Sequence, residues 1–245
     1  MLLKINIKDL DVNYIQYGKG KDIVLLHGWG QNIEMMKFLG DRFCDNYRVT
    51  ILDFPGFGES LEPSVAWTIE DYALLLEDFI NKLKIKKPII IGHSFGGRVA
   101  IRYSAINPIS KLVLFGSPCI RTTVELPLSI KFLKKLKTLP GMNSLGEKMK
   151  KYIGSRDYKA ASPIMRQTLV NVVNEDLSSY AQKIKAPVLL IWGEADTEAP
   201  VEEAKLLEGI MYDAALIVLP GTHYAYIENL DRVEVILNSF FEEGS

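Results

Sequence analysis

The sequence predicts a doubly wound α/β fold, in which a mostly parallel eight-stranded sheet lies between layers of helices. Two observations support this prediction. Short runs of consecutive apolar residues recur along the chain, and such runs are typical of parallel strands that are covered on both faces. Segments with apolar residues at helical spacing lie between most of these runs. The 245 residues suffice for one such domain with an insertion.

The strands are predicted in chain order. An antiparallel N-terminal hairpin covers residues 2–17, where two alternating runs are split by residues 8–11. Six apolar runs complete the sheet: Ile23–Leu26, Val49–Leu52, Ile89–Ile91, Leu112–Phe115, Val188–Ile191 and Leu216–Leu219. Helices are predicted from one-sided apolar patterns over residues 69–83, 99–106, 201–207 and 233–241.

The alternation breaks between the sixth and seventh predicted strands. Residues 118–185 show no strand pattern but contain predicted helices over 126–139, 145–153 and 164–173. We therefore predict a helical lid at 118–185, inserted into a core made of residues 1–117 and 186–245. Seven lysines make the lid basic: Lys131, Lys134, Lys135, Lys137, Lys148, Lys150 and Lys151. The favoured interpretation is a solvated outer face of the lid helices. The alternatives are attraction of an anionic substrate or association with a membrane surface.

Composition narrows the classes of function. A formal net charge of −1 does not indicate nucleic acid as a partner, and none is predicted. Two cysteines, Cys44 and Cys119, are too few for a disulfide framework and lack metal-site spacing, so reduced thiols are expected. The sequence shows neither a signal-peptide pattern nor an apolar run of about 20 residues. These features predict no integral membrane segment and a cytoplasmic location.

The segment Gly92-His93-Ser94-Phe95-Gly96 predicts a nucleophilic serine. It follows the predicted strand Ile89–Ile91 and precedes a predicted helix, which is the setting that the Gly-x-Ser-x-Gly turn requires. The turn exposes the hydroxyl of Ser94 by straining its backbone, and the glycines on either side remove Cβ atoms that would clash. The following helix points its first amides at the site, where negative charge would develop.

A serine nucleophile needs a base and an acid. Of the three histidines, His223 follows the last strand, and the chain order nucleophile, acid, histidine makes it the candidate base. Asp196, just past the penultimate strand, is the candidate acid that would orient the imidazole. Glu194 and Glu198 are alternatives, but Pro200 suits the first turn of a helix and leaves Asp196 in the connecting loop.

Acyl transfer also needs amide donors for the developing oxyanion. Phe95 follows the nucleophile and supplies one backbone N–H. The loop after the third strand, His27-Gly28-Trp29-Gly30, should supply the other, and Trp29 is the candidate because glycines flank it.

Taken in order, five segments resemble the α/β-hydrolase fold superfamily, of the lid-bearing serine esterase or carboxylesterase-like kind. They are His27–Gly30, Asp53–Ser60, Gly92–Gly97, Trp192–Asp196 and Gly221–His223. The resemblance implies Ser94, Asp196 and His223 as a triad, the Trp29 and Phe95 amides as an oxyanion hole, and a mechanism without cofactor or metal. Dehalogenases and epoxide hydrolases of the superfamily use an aspartate nucleophile, so Ser94 argues against both. The His27–Gly30 segment is also similar to that of pimeloyl-ester carboxylesterases of biotin synthesis.

These observations predict a serine hydrolase that cleaves small-molecule carboxylic esters through an acyl-enzyme on Ser94. The apolar face of the first lid helix packs most simply over the mouth of the active site, which favours apolar acyl groups of small to medium size. One alternative keeps the triad and changes the substrate to a carbon–carbon, amide or peroxy-acid bond. Another is a ligand receptor that uses the hydrolase fold.

Overall fold

A computed structural model gives the fold of the chain and describes residues 2–120 and 161–242. The strands are β1 (Leu3–Ile7), β2 (Leu10–Gly18), β3 (Lys21–Leu26), β4 (Tyr47–Leu52), β5 (Ile89–His93), β6 (Lys111–Phe115), β7 (Val188–Gly193) and β8 (Ala214–Leu219). The helices are α1 (Ile33–Gly40), α2 (Ile69–Lys82), α3 (Phe95–Ser104), α4 (Pro163–Asn174), α5 (Ser178–Ala181), α6 (Val201–Ile210), α7 (Ala225–Glu228) and α8 (Leu230–Glu242).

The eight strands form one sheet in the order β1-β2-β4-β3-β5-β6-β7-β8. Strands β3 to β8 run parallel to one another, whereas β2 is antiparallel to both β1 and β4. Lys8 and Asp9, with φ of 48° and 65°, form the hairpin turn between β1 and β2. The predicted fold class is confirmed.

Both faces of the central strands are buried, which explains why their sequences do not alternate. Val24 and Leu26 of β3 belong to a core cluster on one face of the sheet, together with Ile90 of β5. Ile23 and Leu25 of the same strand pack into a second cluster on the other face. Helices therefore cover both faces, and the loops at the carboxyl ends of the strands are left to form a site.

Helix α1 was not among the sequence predictions, nor were the short helices α5 and α7. Asn32 caps α1, because its side chain accepts a hydrogen bond from the Glu34 amide at 3.0 Å. Asp53, at the end of β4, accepts a further hydrogen bond from the Ile33 amide at 2.7 Å. The carboxylate of Asp53 also accepts from the Glu59 amide at 2.9 Å, so this residue shapes two loops at once.

The predicted lid is described in part. Its predicted helix over residues 164–173 is observed as α4, and the short helix α5 follows it. The predicted helices over 126–139 and 145–153, with their lysines, lie outside the described residues. Across residues 2–120 and 161–242, the structure contains no helix that combines the length and the hydropathy needed to cross a bilayer.

Candidate active site

Ser94 lies at the turn between β5 and α3, with φ of 50° and ψ of −113°. This left-handed conformation is rare for a residue other than glycine and is costly in free energy. The Ser94 amide donates to the Phe115 carbonyl of β6 at 2.9 Å, and the Ser94 carbonyl accepts from the Gly97 amide at 3.0 Å. Because these bonds hold the turn from both sides, its strained conformation is maintained.

The two glycines around Ser94 are needed for close backbone approach. A Cβ atom at Gly92 would lie 2.6 Å from the Cα atom of Gly97, and one at Gly96 would lie 2.4 Å from the Leu26 carbonyl oxygen. Neither backbone neighbour could move away without displacing a strand or a helix. The clash that the sequence predicted at these positions is therefore present in the structure.

His223 and Asp196 form a buried pair. The Nδ1 atom of His223 lies 2.8 Å from Oδ2 of Asp196, although the two residues are 27 positions apart in the chain. His223 is 7% exposed and Asp196 is 6% exposed. A Cβ atom at Gly116 would lie 3.0 Å from His223 Nδ1 and 3.1 Å from Asp196 Oδ2. The pair thus sits against the end of β6, beside the turn of Ser94.

Asp196 is held as a carboxylate by its surroundings. Burial alone would raise the pKa of Asp196, but hydrogen bonds from His223 and from backbone amides outweigh burial and lower that pKa. The amides are those of Ala199, at 2.8 Å, and Glu198, at 2.9 Å, and both donate to Oδ1. Oδ2 is therefore left to face the imidazole of His223.

The two alternative acids lie elsewhere. The side chain of Glu194 is exposed, whereas the structure pairs His223 Nδ1 with Asp196. Glu198 approaches the other ring nitrogen, with its Oε2 atom 3.7 Å from His223 Nε2, and its side chain is 66% exposed. Of the three acids considered from the sequence, Asp196 is the one that the structure brings into hydrogen-bond contact with His223.

The Trp29 amide has a fixed direction. The Gly28 carbonyl lies 2.7 Å from Nδ1 of His27 and accepts from the Gln31 amide at 3.2 Å. Nε2 of His27 accepts from the Phe54 amide at 3.0 Å, so the ring proton is on Nδ1 and is donated to the Gly28 carbonyl. Since a trans peptide is planar, the Trp29 N–H points away from that anchored carbonyl. His27 therefore orients the peptide rather than serving as a base.

His93, the residue before Ser94, contacts two loops of the site. Its Nε2 atom lies 3.1 Å from the His223 carbonyl oxygen, and its Nδ1 atom lies 3.2 Å from Oε1 of Gln31. Burial, and secondarily the nearby His223, lowers the pKa of His93 to about 3. The ring is therefore neutral and carries one proton. With that proton on Nε2, the ring donates to the His223 carbonyl, which can only accept. No such role of His93 was predicted from the sequence.

A cavity of about 360 Å³ opens beside Ser94. Its walls are mainly apolar and include Trp29, Phe95, Pro118, Ile120, Leu169, Val172 and Val173. Four charged residues also line it: Arg98, Glu175, Glu198 and Glu203. The volume suits a small organic ligand. Both candidate oxyanion residues, Trp29 and Phe95, thus line the same cavity as the candidate nucleophile Ser94.

Arg98 joins α3 to two segments of the predicted lid. It lies one helical turn after Ser94 and is only 7% exposed. Its Nη1 donates to the carbonyl of Pro118, just after β6, and its Nη2 donates to the carbonyl of Glu175, just after α4. The Leu177 amide donates to the Cys119 carbonyl at 2.9 Å, which ties the same two segments together. One feature of the sequence indicates such a role: Arg98 is a charged residue within a mainly apolar helix.

The described residues contain no cluster of side chains that could form a metal site. Across residues 2–120 and 161–242, the structure groups no three His, Cys, Asp or Glu side chains in a way that could hold an ion. The polar groups around Ser94 instead form an imidazole–carboxylate pair and backbone amides. Such groups move protons and stabilise an oxyanion.

Known proteins resemble this chain along most of its length. Residues 23–234 match the alpha/beta hydrolase family. The pimeloyl-acyl carrier protein methyl ester esterase of Aliivibrio fischeri strain MJ11 is 26% identical over 252 residues, which cover 92% of this chain and 95% of that protein.

Two solved structures share the fold. An esterase from Exiguobacterium antarcticum superposes with a TM-score of 0.78 and 22% identity, covering 98% of this chain and 99% of that one. A bromoperoxidase from Bacillus anthracis superposes with a TM-score of 0.80 and 20% identity, covering 99% and 100%. At these identities the structural similarity concerns the fold alone.

Proposed function

The chain belongs to the alpha/beta hydrolase family. We propose that it is a serine hydrolase that cleaves carboxylic esters, with Ser94, Asp196 and His223 as its catalytic triad. The observation that carries the proposal is the His223–Asp196 hydrogen bond of 2.8 Å, placed beside a serine with a φ of 50°. A strained serine next to a histidine that a carboxylate orients is the arrangement that acyl transfer requires.

The proposed reaction moves one proton through His223. Ser94 Oγ attacks the ester carbonyl carbon while its proton passes to Nε2 of His223, and a tetrahedral oxyanion forms. The C–O bond to the alcohol then breaks, and the departing alkoxide takes the proton from His223. In the second half, water gives a proton to His223 and attacks the acyl-enzyme, and Ser94 recovers that proton as the acid leaves.

The backbone amides of Phe95 and Trp29 are proposed to stabilise the oxyanion. Phe95 begins α3, and the first amides of a helix have no partner within the helix. The Trp29 amide is supported by the anchored Gly28 carbonyl, whose hydrogen bond to His27 fixes the peptide plane. Preorganised donors of this kind stabilise charge that develops in the transition state.

The proposed substrates are esters of small to medium, largely apolar acyl groups. We propose residues 118–185 as a cap over Ser94, a division supported by α4, which contributes Leu169 and Val172 to the cavity wall. By its name, the A. fischeri relative acts on a methyl ester. Methyl esters of straight-chain acids are therefore the first substrates to examine, since their small alcohol leaves the cavity to the acyl chain.

An activity-based probe tests the proposal. A fluorescent fluorophosphonate should label the wild-type protein, and the variant Ser94→Ala should not be labelled. Ser110→Ala, changed at the opposite end of β6, serves as the matched control and should be labelled like the wild type. A panel of methyl esters, p-nitrophenyl esters, amides and thioesters then identifies the bond that is cleaved.

The outcomes separate the alternatives. Turnover of esters above the other bonds supports the proposal. Preference for an amide or another acyl bond keeps the triad but changes the substrate class, and labelling of Ser94 without any turnover favours a receptor. Equal labelling of the wild type and Ser94→Ala would exclude Ser94 as the nucleophile.

A further inference from the structure

Gln31 contacts the peptide groups on both sides of Gly28. Its side-chain oxygen Oε1 accepts a hydrogen bond from the Gly28 amide at 3.0 Å. Its backbone amide donates to the Gly28 carbonyl at 3.2 Å. Gln31 therefore holds the peptide group before Gly28 and the peptide group after it, and the second of these carries the amide of Trp29.

Gly28 leaves room for two side chains beside the backbone. A Cβ atom at this position would lie 2.8 Å from Nδ1 of His93 and 3.1 Å from Oε1 of Gln31. Glycine has the freest backbone of all residues, so the peptide groups around Gly28 could turn independently if nothing held them. Two hydrogen bonds to one residue remove that freedom. The direction of the Trp29 amide thus depends on Gln31 as well as on His27.

The backbone bond of Gln31 also closes a tight turn. Its amide donates to the carbonyl three residues earlier, which places Trp29 and Gly30 at the centre of a β-turn. Gly30 has a φ of 70°, a conformation that favours glycine. The closing bond uses the N–H of the fourth residue and leaves the N–H of the second, Trp29, without a partner inside the turn. That N–H is the proposed oxyanion donor.

The side-chain oxygen of Gln31 also lies beside His93. Nδ1 of His93 is 3.2 Å from Gln31 Oε1. With the ring proton on Nε2, where it is donated to the His223 carbonyl, Nδ1 has no proton to give, and this contact adds no hydrogen bond. The Gly28 amide is then the donor that holds the Gln31 side chain. Gln31 therefore acts on the loop of Trp29 rather than on the loop of His223.

We propose that Gln31 is a positioning residue for the oxyanion hole, because its two hydrogen bonds to Gly28 fix the direction of the Trp29 amide. The inference rests on the proposed ester hydrolysis at Ser94 and deepens it. It names a residue that acts on the transition state through the backbone of its own loop. A preorganised donor stabilises the developing charge best when its direction is already set.

Gln31→Met tests the side-chain bond, because methionine has a similar length and offers the Gly28 amide only a weak acceptor. With methyl hexanoate as the substrate, kcat should fall by about tenfold to a hundredfold while KM changes little. Loss of an oxyanion donor costs about a hundredfold to a thousandfold, and a misdirected donor costs less.

Gln16→Met is the matched control. Gln16 is half-buried like Gln31, and its side chain donates one hydrogen bond to Thr50 at 2.9 Å, between β2 and β4. The variant removes a glutamine hydrogen bond away from the candidate site, so kcat should stay within about twofold of the wild type. A loss in Gln31→Met no larger than the loss in Gln16→Met would overturn the proposal.

Two ketones separate stabilisation of the oxyanion from binding of the ground state. In hexyl trifluoromethyl ketone, Ser94 Oγ adds to the carbonyl carbon, the π electrons of the C=O bond move to the oxygen, and the serine proton passes to His223. The resulting oxyanion lies in the proposed hole. Hexyl methyl ketone has the same chain but an unactivated carbonyl, and it binds without this addition.

Gln31→Met should weaken inhibition by the trifluoromethyl ketone by about tenfold or more and change inhibition by the methyl ketone by no more than about twofold. A purely structural loss would weaken both inhibitors. Equal weakening of the two ketones, or no weakening of either, would overturn the positioning role.

The amide signal of Gly28 observes the hydrogen bond directly in protein labelled with isotopic glycine. This signal should move upfield in Gln31→Met, which removes the acceptor. Gln31→Glu keeps an acceptor, so the signal should stay at its wild-type position or move downfield, and part of the lost kcat should return. The added charge near the oxyanion keeps that recovery incomplete. An unmoved Gly28 signal in Gln31→Met would overturn the proposal.

The failure of the positioning role is distinct from the failure of ester hydrolysis. Hydrolysis at Ser94 with a wild-type kcat in Gln31→Met would refute the role of Gln31 and leave the proposed function standing. If the wild type hydrolyses no ester of the panel and forms no adduct with the trifluoromethyl ketone, both proposals are overturned.

Discussion

The Nε2 atom of His93 lies 3.1 Å from the backbone carbonyl oxygen of His223. The residue next to the candidate nucleophile thus holds the loop of the candidate base, across 130 positions of the chain. The centroids of the two imidazole rings are 4.8 Å apart, so a displacement of one loop would also displace the other. This contact links the nucleophile turn to the loop that follows β8 and carries His223.

The first prediction concerns His93 as a positioning residue. His93→Phe keeps a planar ring but loses the donor, so kcat should fall by about tenfold to a hundredfold, the cost of one buried hydrogen bond, while KM changes little. His93→Gln retains an N–H that can reach the His223 carbonyl, and it should recover much of kcat. Steady-state kinetics on one methyl ester measures both variants. A His93→Phe protein with wild-type kcat would contradict the role.

The second prediction is a pH dependence of stability. Burial lowers the pKa of His93 from its ordinary 6.5 to about 3, so below pH 6.5 the unfolded chain binds a proton that the folded protein does not. The free energy of unfolding therefore falls as pH decreases through this window. One such histidine contributes a slope of at most about 1.4 kcal/mol per pH unit.

Urea unfolding at several pH values between about 7.5 and 5 tests this dependence, a range that stays above the ordinary pKa values of carboxyl groups. The His93→Gln protein should show a shallower loss of stability than the wild type. Burial also lowers the pKa of His27, but that residue is present in both proteins and cancels in the comparison. Parallel curves for the two proteins would contradict the prediction.

The third prediction distinguishes the candidate acids. Asp196→Asn removes the charge that orients His223 and stabilises its protonated form, so kcat should drop by roughly four orders of magnitude. His223→Ala should lose at least as much. Glu194→Gln changes an exposed carboxylate two residues earlier, and its kcat should stay within about twofold of the wild type, as is usual for an exposed side chain without such contacts. A larger loss in Glu194→Gln than in Asp196→Asn would reverse the assignment.

Local patterns explain which parts of the candidate site could be predicted from the sequence. Ser94 is identified by a strand, a turn and a helix that are contiguous in the chain. Asp196 and His223 follow the ends of two successive parallel strands, and parallel strands deliver their carboxyl ends to one edge of the sheet. The order of these residues along the chain was therefore enough to predict the observed Asp196–His223 contact.

Other features depend on contacts that leave no local pattern. Helix α1 has only eight residues, and it is stabilised by an Asp53 hydrogen bond to the Ile33 amide from another loop. The contacts of Arg98 with Pro118 and Glu175 span 20 and 77 positions. Tertiary interactions of this kind determine which side chains line the cavity. For that reason the sequence predicted where the cavity lies but not that Arg98 lines it.

The fourth prediction compares the two thiols. Burial raises the pKa of Cys119 to about 12, so almost none of this thiol is ionised near pH 8. Cys44 is half-buried. In the native protein, iodoacetamide should modify Cys44 and leave Cys119 unmodified, whereas both should react in urea. Peptide mass mapping measures the two sites, and equal native rates would show that Cys119 is more accessible than the structure indicates.

The last prediction concerns Arg98 as the residue that connects α3 to two segments of the predicted lid, those of Pro118 and Glu175. Arg98→Met leaves the carbonyls of Pro118 and Glu175 without a donor, so the free energy of unfolding should fall by about 2–4 kcal/mol. The Leu177 amide, which donates to Cys119 between the same segments, should exchange its hydrogen faster.

Arg42→Met provides the control for this change. Arg42 forms ion pairs with Asp231 and Glu234 at the surface, and loss of exposed pairs costs about 1 kcal/mol or less. Its variant should leave exchange at Leu177 unaltered, because neither partner belongs to the segments that Arg98 joins. Chemical denaturation and hydrogen exchange followed by mass spectrometry measure both effects. If Arg98→Met lowers stability without faster exchange at Leu177, Arg98 supports the core but does not tie the two segments together.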